Sequence, residues 1–212
     1  MGFSRPVYGC ARREIGRFPG LRDEIWLSLP FMELKETESG GPPRLATAVQ
    51  AYWSQDRSSI CFRFVGADDG IVSTFLEHDD PLYMEDVIEL FLSETGSMNR
   101  YKEFELSPAN VKFDADIIND LKSDIQVNRS WHAAGWRTEF DIDQARSGFV
   151  SVWEIPFECF EVGCPSPDDR WTMNCYRIDR SERFGDEYSA WSPTGKINFH
   201  IPECFGWLLF EK

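Results

Sequence analysis

Three glutamates of this chain, Glu89, Glu103 and Glu105, have a spacing that could support chemistry. Glu89 lies in the stretch DVIELFL and the other two lie in YKEFELS, and both stretches alternate in the way strands do. If the two strands are neighbours, the three carboxyl groups share one face with Tyr101. Glycosidases use two carboxyl groups about 5–10 Å apart, and carboxylates also bind sugar hydroxyls. A solvated strand face has the same pattern, so all three interpretations stay open.

Signatures of other enzyme classes are missing from the sequence. It contains no P-loop, no G-x-G-x-x-G, no H-E-x-x-H and no Ser-His-Asp order. The three histidines, His78, His132 and His200, are scattered along the chain. We expect His132, beside Trp131, at the surface or in the core rather than on a metal.

Two acidic segments offer oxygen ligands to a cation. The first, ADDGIVSTFLEHDDP at 67–81, holds Asp68, Asp69, Asp79 and Asp80. Calcium takes about six to eight oxygen ligands, often from loop carboxylates. The segment lacks the EF-hand spacing, and a solvated acidic loop is the alternative for it and for FDADIIND at 113–120. If calcium binds, we expect these four aspartates to hold it.

The elements that position these residues are predicted to be short strands. Runs rich in Val, Ile, Phe, Tyr and Trp lie between turn residues, at 47–53, 59–65, 86–92, 101–107, 135–142, 149–155, 173–179 and 206–210. The stretch 54–57 predicts a hairpin between the first two runs. One segment, 115–126, places Ile118, Leu121 and Ile125 at helical spacing and is predicted as a short helix.

This pattern of elements favours an all-β fold. Many short strands with few helices are typical of a two-sheet antiparallel β-sandwich of the immunoglobulin or jelly-roll kind. The length fits a single domain over residues 1–212. Alternation predicts that one face of the strands at 86–92 and 101–107 is core, and that the opposite face carries the three glutamates. The core face consists of Ile88, Leu90, Leu92, Phe104 and Leu106.

Charge and cysteine content limit the partners. The chain has 36 acidic against 22 basic residues and a formal net charge of −14. A nucleic acid or an anionic membrane needs a basic surface, so we expect neither, whereas a neutral or cationic ligand fits. The six cysteines form no C-x-x-C pair, and the first residues contain no apolar run typical of a signal peptide. Reduced thiols and a cytoplasmic location are therefore the default expectation, with secretion expected if a leader lies outside this sequence; the oligomeric state is left open.

The order of five motifs is similar to that of the carbohydrate-binding module family 9-like domains. The motifs are LYMEDVIELFL (82–92), YKEFELSP (101–108), WEIPF (153–157), WTMNCYRID (171–179) and YSAWSPTGKINFHIPECFG (188–206). The resemblance covers about Ile15 to Phe210. It implies a β-sandwich that binds a saccharide in a slot between two aromatic rings, with structural calcium held elsewhere.

The resemblance also implies which residues form that slot. One ring corresponds to Tyr83 and the other to Phe199, where the well-understood modules usually carry tryptophan. Glu89 corresponds to a glutamate of the family, whereas Glu105 stands where the family has an arginine, a charge reversal. Phe199 is then the ring expected outside the core. Further candidates for binding the polar rim of the sugar are Asn174, Arg177, Asn198 and His200.

The other aromatic residues near the C-terminus are expected to be structural, because large rings are normally buried. They are Trp171, Trp191, Phe205, Trp207 and Phe210. The function we infer from the sequence is non-catalytic saccharide binding. The alternatives are a glycan-active hydrolase using Glu89 and Glu105, and a β-sandwich that binds another protein.

Overall fold

A computed structural model describes residues 5–143 and 147–212. These residues form strands β1 to β14, which are Val7–Arg12, Met32–Glu33, Lys35–Glu36, Thr47–Ser54, Ser59–Ala67, Val87–Ser93, Arg100–Leu106, Lys112–Asn119, Ile125–Asn128, Arg137–Asp143, Gly148–Pro156, Arg170–Asp179, Glu187–Ala190 and Gly206–Phe210. Short 3-10 turns occur at Glu24–Ser28, Leu82–Met84, Phe157–Cys159 and Pro202–Cys204. The described residues include no α-helix, and hence no helix that is long and apolar enough to cross a membrane.

The strands form two sheets that meet at β1. One sheet has the order β10-β11-β5-β4, and the other has the order β14-β12-β6-β7-β8-β9. Residues Val7 to Cys10 pair with β14, and Ala11 and Arg12 pair with β4. Both of these pairings are parallel, whereas the other described pairings are antiparallel. The predicted all-β sandwich is confirmed, as are its eight predicted strands and the hairpin between β4 and β5.

The main core lies between the two sheets. The residues predicted to face it, Ile88, Leu90, Leu92, Phe104 and Leu106, are all buried in one apolar cluster. This cluster also holds side chains of the other sheet such as Phe62, Phe64 and Trp153. The alternation in β6 and β7 therefore assigned their faces correctly. The C-terminal rings are structural as expected, although Trp207 is only half-buried.

The predicted helix at 115–126 is wrong. This segment contains the end of β8, a turn and the start of β9, which pair antiparallel with Ile117 opposite Val127. The apolar side chains of β8 alternate in direction, since Ala115 and Ile117 are buried in one apolar cluster whereas Ile118 is 46% exposed. The carboxylate of Asp120 accepts backbone N–H groups of the turn, and pairing with β7 completes the strand. Tertiary pairing thus overrides a coincidental helical spacing.

Gly206 begins β14 at a point where there is no room for a side chain. A Cβ atom there would overlap the ring of Trp191 and lie 2.9 Å from the carbonyl oxygen of Pro6. We expect Gly206→Ala to lower the free energy of unfolding by about 1–3 kcal/mol, because overpacking forces the neighbouring ring to move. Urea denaturation measures the change. Gly70→Ala is the matched control, since a Cβ at Gly70 meets no atom within 4 Å; equal losses in both variants would contradict the explanation.

Candidate functional site

A cavity of roughly 490 Å³ opens on the face of β6 and β7 that points away from the main core. We call it the glutamate cavity, after Glu89, Glu103 and Glu105 in its lining. Its other lining residues are Tyr83, Phe91, Phe113, Val127, Arg129, Ile178, Tyr188, Ile197, Asn198, Phe199 and His200. Six of the predicted ligand-binding residues therefore line one cavity: Tyr83, Glu89, Glu105, Asn198, Phe199 and His200.

Strand register brings the three carboxyl groups together. Glu89 in β6 lies directly opposite Glu105 in β7, and Glu103 lies two residues earlier on the same face of β7. Carboxylate oxygens of the three residues lie within 4.8 Å of one another, and all three residues are buried. From the sequence, this face of β6 and β7 could have been either solvated or ligand-binding. In the structure it lines the interior of a cavity.

Burial keeps protons on these carboxyl groups. It raises the pKa of Glu103 to about 8 and the pKa of Glu89 and Glu105 well above the usual range. Repulsion from neighbouring carboxylates raises the pKa of Glu89 and Glu105 further. Glu89 Oε1 and Glu105 Oε2 are buried and have no hydrogen-bond partner. At neutral pH the cavity therefore contains largely protonated carboxyl groups, which can both donate and accept hydrogen bonds.

His200 adds a neutral imidazole beside this cluster. Burial lowers the pKa of His200 to about 4. Its Nδ1 lies 2.9 Å from the hydroxyl of Tyr101, and that hydroxyl accepts a hydrogen bond from Asn119 Nδ2 at 3.2 Å. The Tyr101 hydroxyl has one hydrogen and two lone pairs, so it can either donate to Nδ1 or accept from it. Nε2 lies 3.9 Å from Glu103 Oε1, at the edge of the carboxyl cluster.

Tyr83 is an exposed ring on a short, well-anchored segment. Its side chain is 51% exposed, and the residue lies in the 3-10 turn Leu82–Met84 that leads into β6. Leu82 beside it is buried, and the Tyr83 carbonyl accepts a hydrogen bond from Arg180 Nη2 at 2.6 Å. The backbone is therefore held in place while the ring stays free for a ligand.

The expectation that Phe199 stands outside the core is wrong. Phe199 is only 9% exposed, and its ring stacks on Tyr176 with the centroids 4.1 Å apart and the planes 9° from parallel. The Tyr176 hydroxyl donates to the Phe199 carbonyl at 2.9 Å, which ties the two residues together. Phe199 lines the cavity with only one face of its ring, because Tyr176 already covers the other face.

Two predicted rim residues, Asn174 and Arg177, do not line the cavity. The Asn174 side chain is fully buried and exchanges hydrogen bonds with the backbone of Ser192. Arg177 points to the opposite side of β12, where it binds Asp68 and Asp179 at 2.8 Å and donates to Thr47 Oγ1 and the carbonyl of Ala67. Neighbouring residues of a strand face opposite sides, so Tyr176 supports the cavity and Arg177 cannot reach it.

The four aspartates predicted to bind calcium are not assembled into one site. Asp68 lies within 4.8 Å of Asp179 and pairs with Arg177. Asp69 pairs with Arg44. Asp80 accepts the backbone N–H groups of Leu76 and Glu77, and Asp79 lies beside His78. Arginines already neutralise Asp68 and Asp69. The four carboxylates therefore do not fit a common calcium ion.

Several cavity residues were outside the predicted set. Glu103 was not among the predicted ligand-binding residues, although the alternation of β7 had already placed it on the same strand face as Glu105. Tyr188 lines the cavity and makes an edge-on contact with Phe199 at 6.4 Å. Phe91 and Phe113 come from β6 and β8. Strand alternation could have placed Phe91 beside Glu89, but Phe113 and Tyr188 reach the cavity only through the tertiary fold.

The fold is similar to that of carbohydrate-binding modules of family 9. The fold is similar to that of a candidate carbohydrate-binding protein from Bacteroides uniformis, with a TM-score of 0.74, 14% identity and coverage of 98% of this chain and 100% of that chain. It is also similar to a family 9 module from Caldicellulosiruptor kristjanssonii in complex with cellotriose, with a TM-score of 0.72, 11% identity and coverage of 97% and 93%. The same kind of module in complex with glucose gives a TM-score of 0.69 at 11% identity, covering 98% and 96%. The resemblance expected from the five motifs is confirmed at the level of the fold.

Sequence comparison adds one relative. An extracellular protein from Arthroderma benhamiae is 29% identical over 143 residues, which cover 62% of this chain. The chain matches 64% of the length of that relative. No family model matches the sequence.

Proposed function

We propose that this protein binds a saccharide in the glutamate cavity without chemically changing it. The observation that carries the proposal is the convergence of four positions that the family resemblance implies, Tyr83, Glu89, Glu105 and Phe199, on one open cavity. Phe199 is distant from the other three positions in the sequence, and the fold brings it beside them. Similar folds occur in modules in complex with glucose and cellotriose, which supports a saccharide as the ligand.

The chemistry of the cavity suits a sugar ring. Aromatic side chains cover the apolar C–H face of a pyranose, and polar groups pair with its hydroxyls. Tyr83, Phe199 and Tyr188 supply the aromatic surface. Sugar hydroxyls both donate and accept, and so do protonated carboxyl groups. A hydroxyl group would satisfy the unpartnered oxygens of Glu89 and Glu105, whose burial is otherwise unfavourable.

Calorimetric titration with glucose, xylose and their short oligosaccharides tests the proposal. We expect saturable binding to the wild-type chain and about two- to tenfold weaker binding to Tyr83→Ala, since losing one stacked ring costs about 0.5–1.5 kcal/mol. Phe31→Ala is the matched control because Phe31 is a similarly exposed ring outside the cavity. If none of these sugars binds, or if the two variants lose affinity equally, the proposal fails.

An assay of the wild-type protein with chromogenic glycosides distinguishes saccharide binding from hydrolysis. A hydrolase would turn over chromogenic glycosides and would lose that activity in Glu89→Gln. The carboxyl cluster is largely protonated at neutral pH, whereas hydrolysis needs one ionised carboxylate as nucleophile or base, so we expect no turnover. Measurable turnover abolished by Glu89→Gln would replace the proposed role with a catalytic one.

A further inference from the structure

Two histidines converge on a buried aspartate on the other side of β8 from the glutamate cavity. His78 Nε2 lies 3.0 Å from Asp114 Oδ1, and His132 Nδ1 lies 3.4 Å from the same oxygen. Asp114 is 2% exposed, whereas both imidazoles are about half-exposed. Phe113 lines the glutamate cavity, so Asp114, the next residue of the strand, faces the opposite side.

These distances match the coordination shell of a tetrahedral metal ion. Zinc binds imidazole nitrogen and carboxylate oxygen at about 2.0–2.2 Å, which places neighbouring ligand atoms of a tetrahedron about 3.3–3.6 Å apart. The ligand atoms of His78, Asp114 and His132 all lie within 4.8 Å of one another, and the two nitrogens lie 3.0 and 3.4 Å from the shared oxygen. The two nitrogens lie within 4.8 Å of each other, so bringing all three ligand atoms to tetrahedral spacing requires a relative shift of at most about 1.5 Å.

A fourth oxygen lies next to this group. Asp79 Oδ1 is 3.2 Å from His78 Nε2. It is buried and has no hydrogen-bond partner, which is an unfavourable state for a carboxylate oxygen. Asp79 has a φ of 66°, and its backbone N–H donates to the carbonyl of Lys112 at 3.0 Å. The backbone thus holds this carboxylate beside β8 in a left-handed conformation that a non-glycine residue seldom adopts.

The surroundings also hold the central ligand in place. Asp114 Oδ2 accepts the backbone N–H of Ala133, the residue that follows His132. Outer hydrogen bonds of this kind orient the first ligands of a metal ion. Two neutral imidazoles and two carboxylates would neutralise a divalent cation. Two imidazoles with carboxylates suit zinc better than calcium, which prefers oxygen ligands alone.

We propose that His78, Asp114 and His132 bind one Zn²⁺ ion. Asp79, whose Oδ1 lies beside His78, would complete the coordination by moving towards the ion. The ion links three separate segments: the loop between β5 and β6, strand β8, and the connection between β9 and β10. Its effect is structural, because it ties the two loops to the sheet. The site is distinct from the glutamate cavity and does not depend on the proposed saccharide function.

Zinc titration of the chelator-treated protein tests this site. We expect binding of one ion per chain, and a rise in Tm of about 5–10 °C at a zinc concentration 100 times the Kd. His78→Ala and His132→Ala should each weaken zinc binding at least 100-fold, and Asp79→Asn should weaken it less. Both imidazoles are substantially exposed, so either variant should fold, and circular dichroism checks that it does.

The control is His200→Gln, which removes the remaining histidine of the chain and should leave zinc affinity unchanged. Zinc bound adventitiously to thiols such as the exposed Cys164 would remain in both the His78→Ala and the His132→Ala variant, which separates it from this site. Cobalt substitution gives a second readout, since a tetrahedral Co²⁺ ion absorbs visible light far more strongly than an octahedral one. The proposal is overturned by the absence of saturable zinc binding, by undiminished affinity in both histidine variants, or by weak octahedral cobalt absorption.

Discussion

Replacing Arg177 with methionine should lower the free energy of unfolding by about 3–5 kcal/mol, because it leaves the buried Asp68 carboxylate without its counter-charge. Asp179 would keep only its ion pair with Arg44. The Arg177 guanidinium is 5% exposed and contacts both Asp68 and Asp179 at 2.8 Å. Methionine keeps much of the length of the side chain, so the loss reports on charge and hydrogen bonding more than on volume. Urea denaturation at neutral pH measures it.

The control for this variant is an exposed ion pair. Arg22 lies 3.1 Å from Asp141 with 65% of its side chain exposed, and Arg22→Met should cost less than about 1 kcal/mol. Saccharide binding gives a further distinction, since Arg177 lies outside the glutamate cavity. Folded Arg177→Met should keep the wild-type affinity for any sugar that binds. A selective loss of affinity with stability unchanged would restore Arg177 as a ligand-binding residue.

Replacing Glu103 with glutamine should change how stability depends on pH. The ordinary pKa of glutamate is about 4.3 in an unfolded chain, whereas burial raises the pKa of Glu103 to about 8 in the folded protein. Between these values the folded state keeps a proton that the unfolded state has released. Stability from this group is therefore complete below about pH 4.3 and is lost as pH rises towards 8. Relative to Glu103→Gln, the wild type should lose up to about 1.4 kcal/mol per pH unit between pH 5 and 7.

The pH dependence of stability is compared between the variant and the wild type, because other buried groups titrate near the same pH values. Burial raises the pKa of Asp86 to about 6 and lowers that of His200 to about 4. Glu139→Gln is the control, since Glu139 is exposed on β10; its curve should run parallel to that of the wild type. If the free energies of unfolding of Glu103→Gln and the wild type depend on pH in the same way, Glu103 ionises normally. The cavity would then be more accessible to water than its geometry indicates.

Much of the glutamate cavity was predictable from local patterns. The alternation in β6 and β7 put Glu89, Glu103 and Glu105 on one face, and that face is the one that lines the cavity. Strand alternation also shows that Asn174 and Arg177 cannot both contact a ligand in this cavity. They are three residues apart in β12, so their side chains point to opposite faces of the strand. Applying that rule would have separated them, but it would not have shown that Asn174 binds Ser192 instead of a ligand.

The sequence by itself determined the strands, their faces and the sandwich, because alternation, turn residues and strand propensity act over a few neighbouring residues. The tertiary structure decided which groups meet. Phe199 stacks on Tyr176, and Arg177 pairs with two aspartates. His78 and His132 contact Asp114, from which they are 36 and 18 residues away in the sequence. Such contacts depend on how the sheets and loops pack, and a local pattern carries no information about the side chain that will lie across the gap.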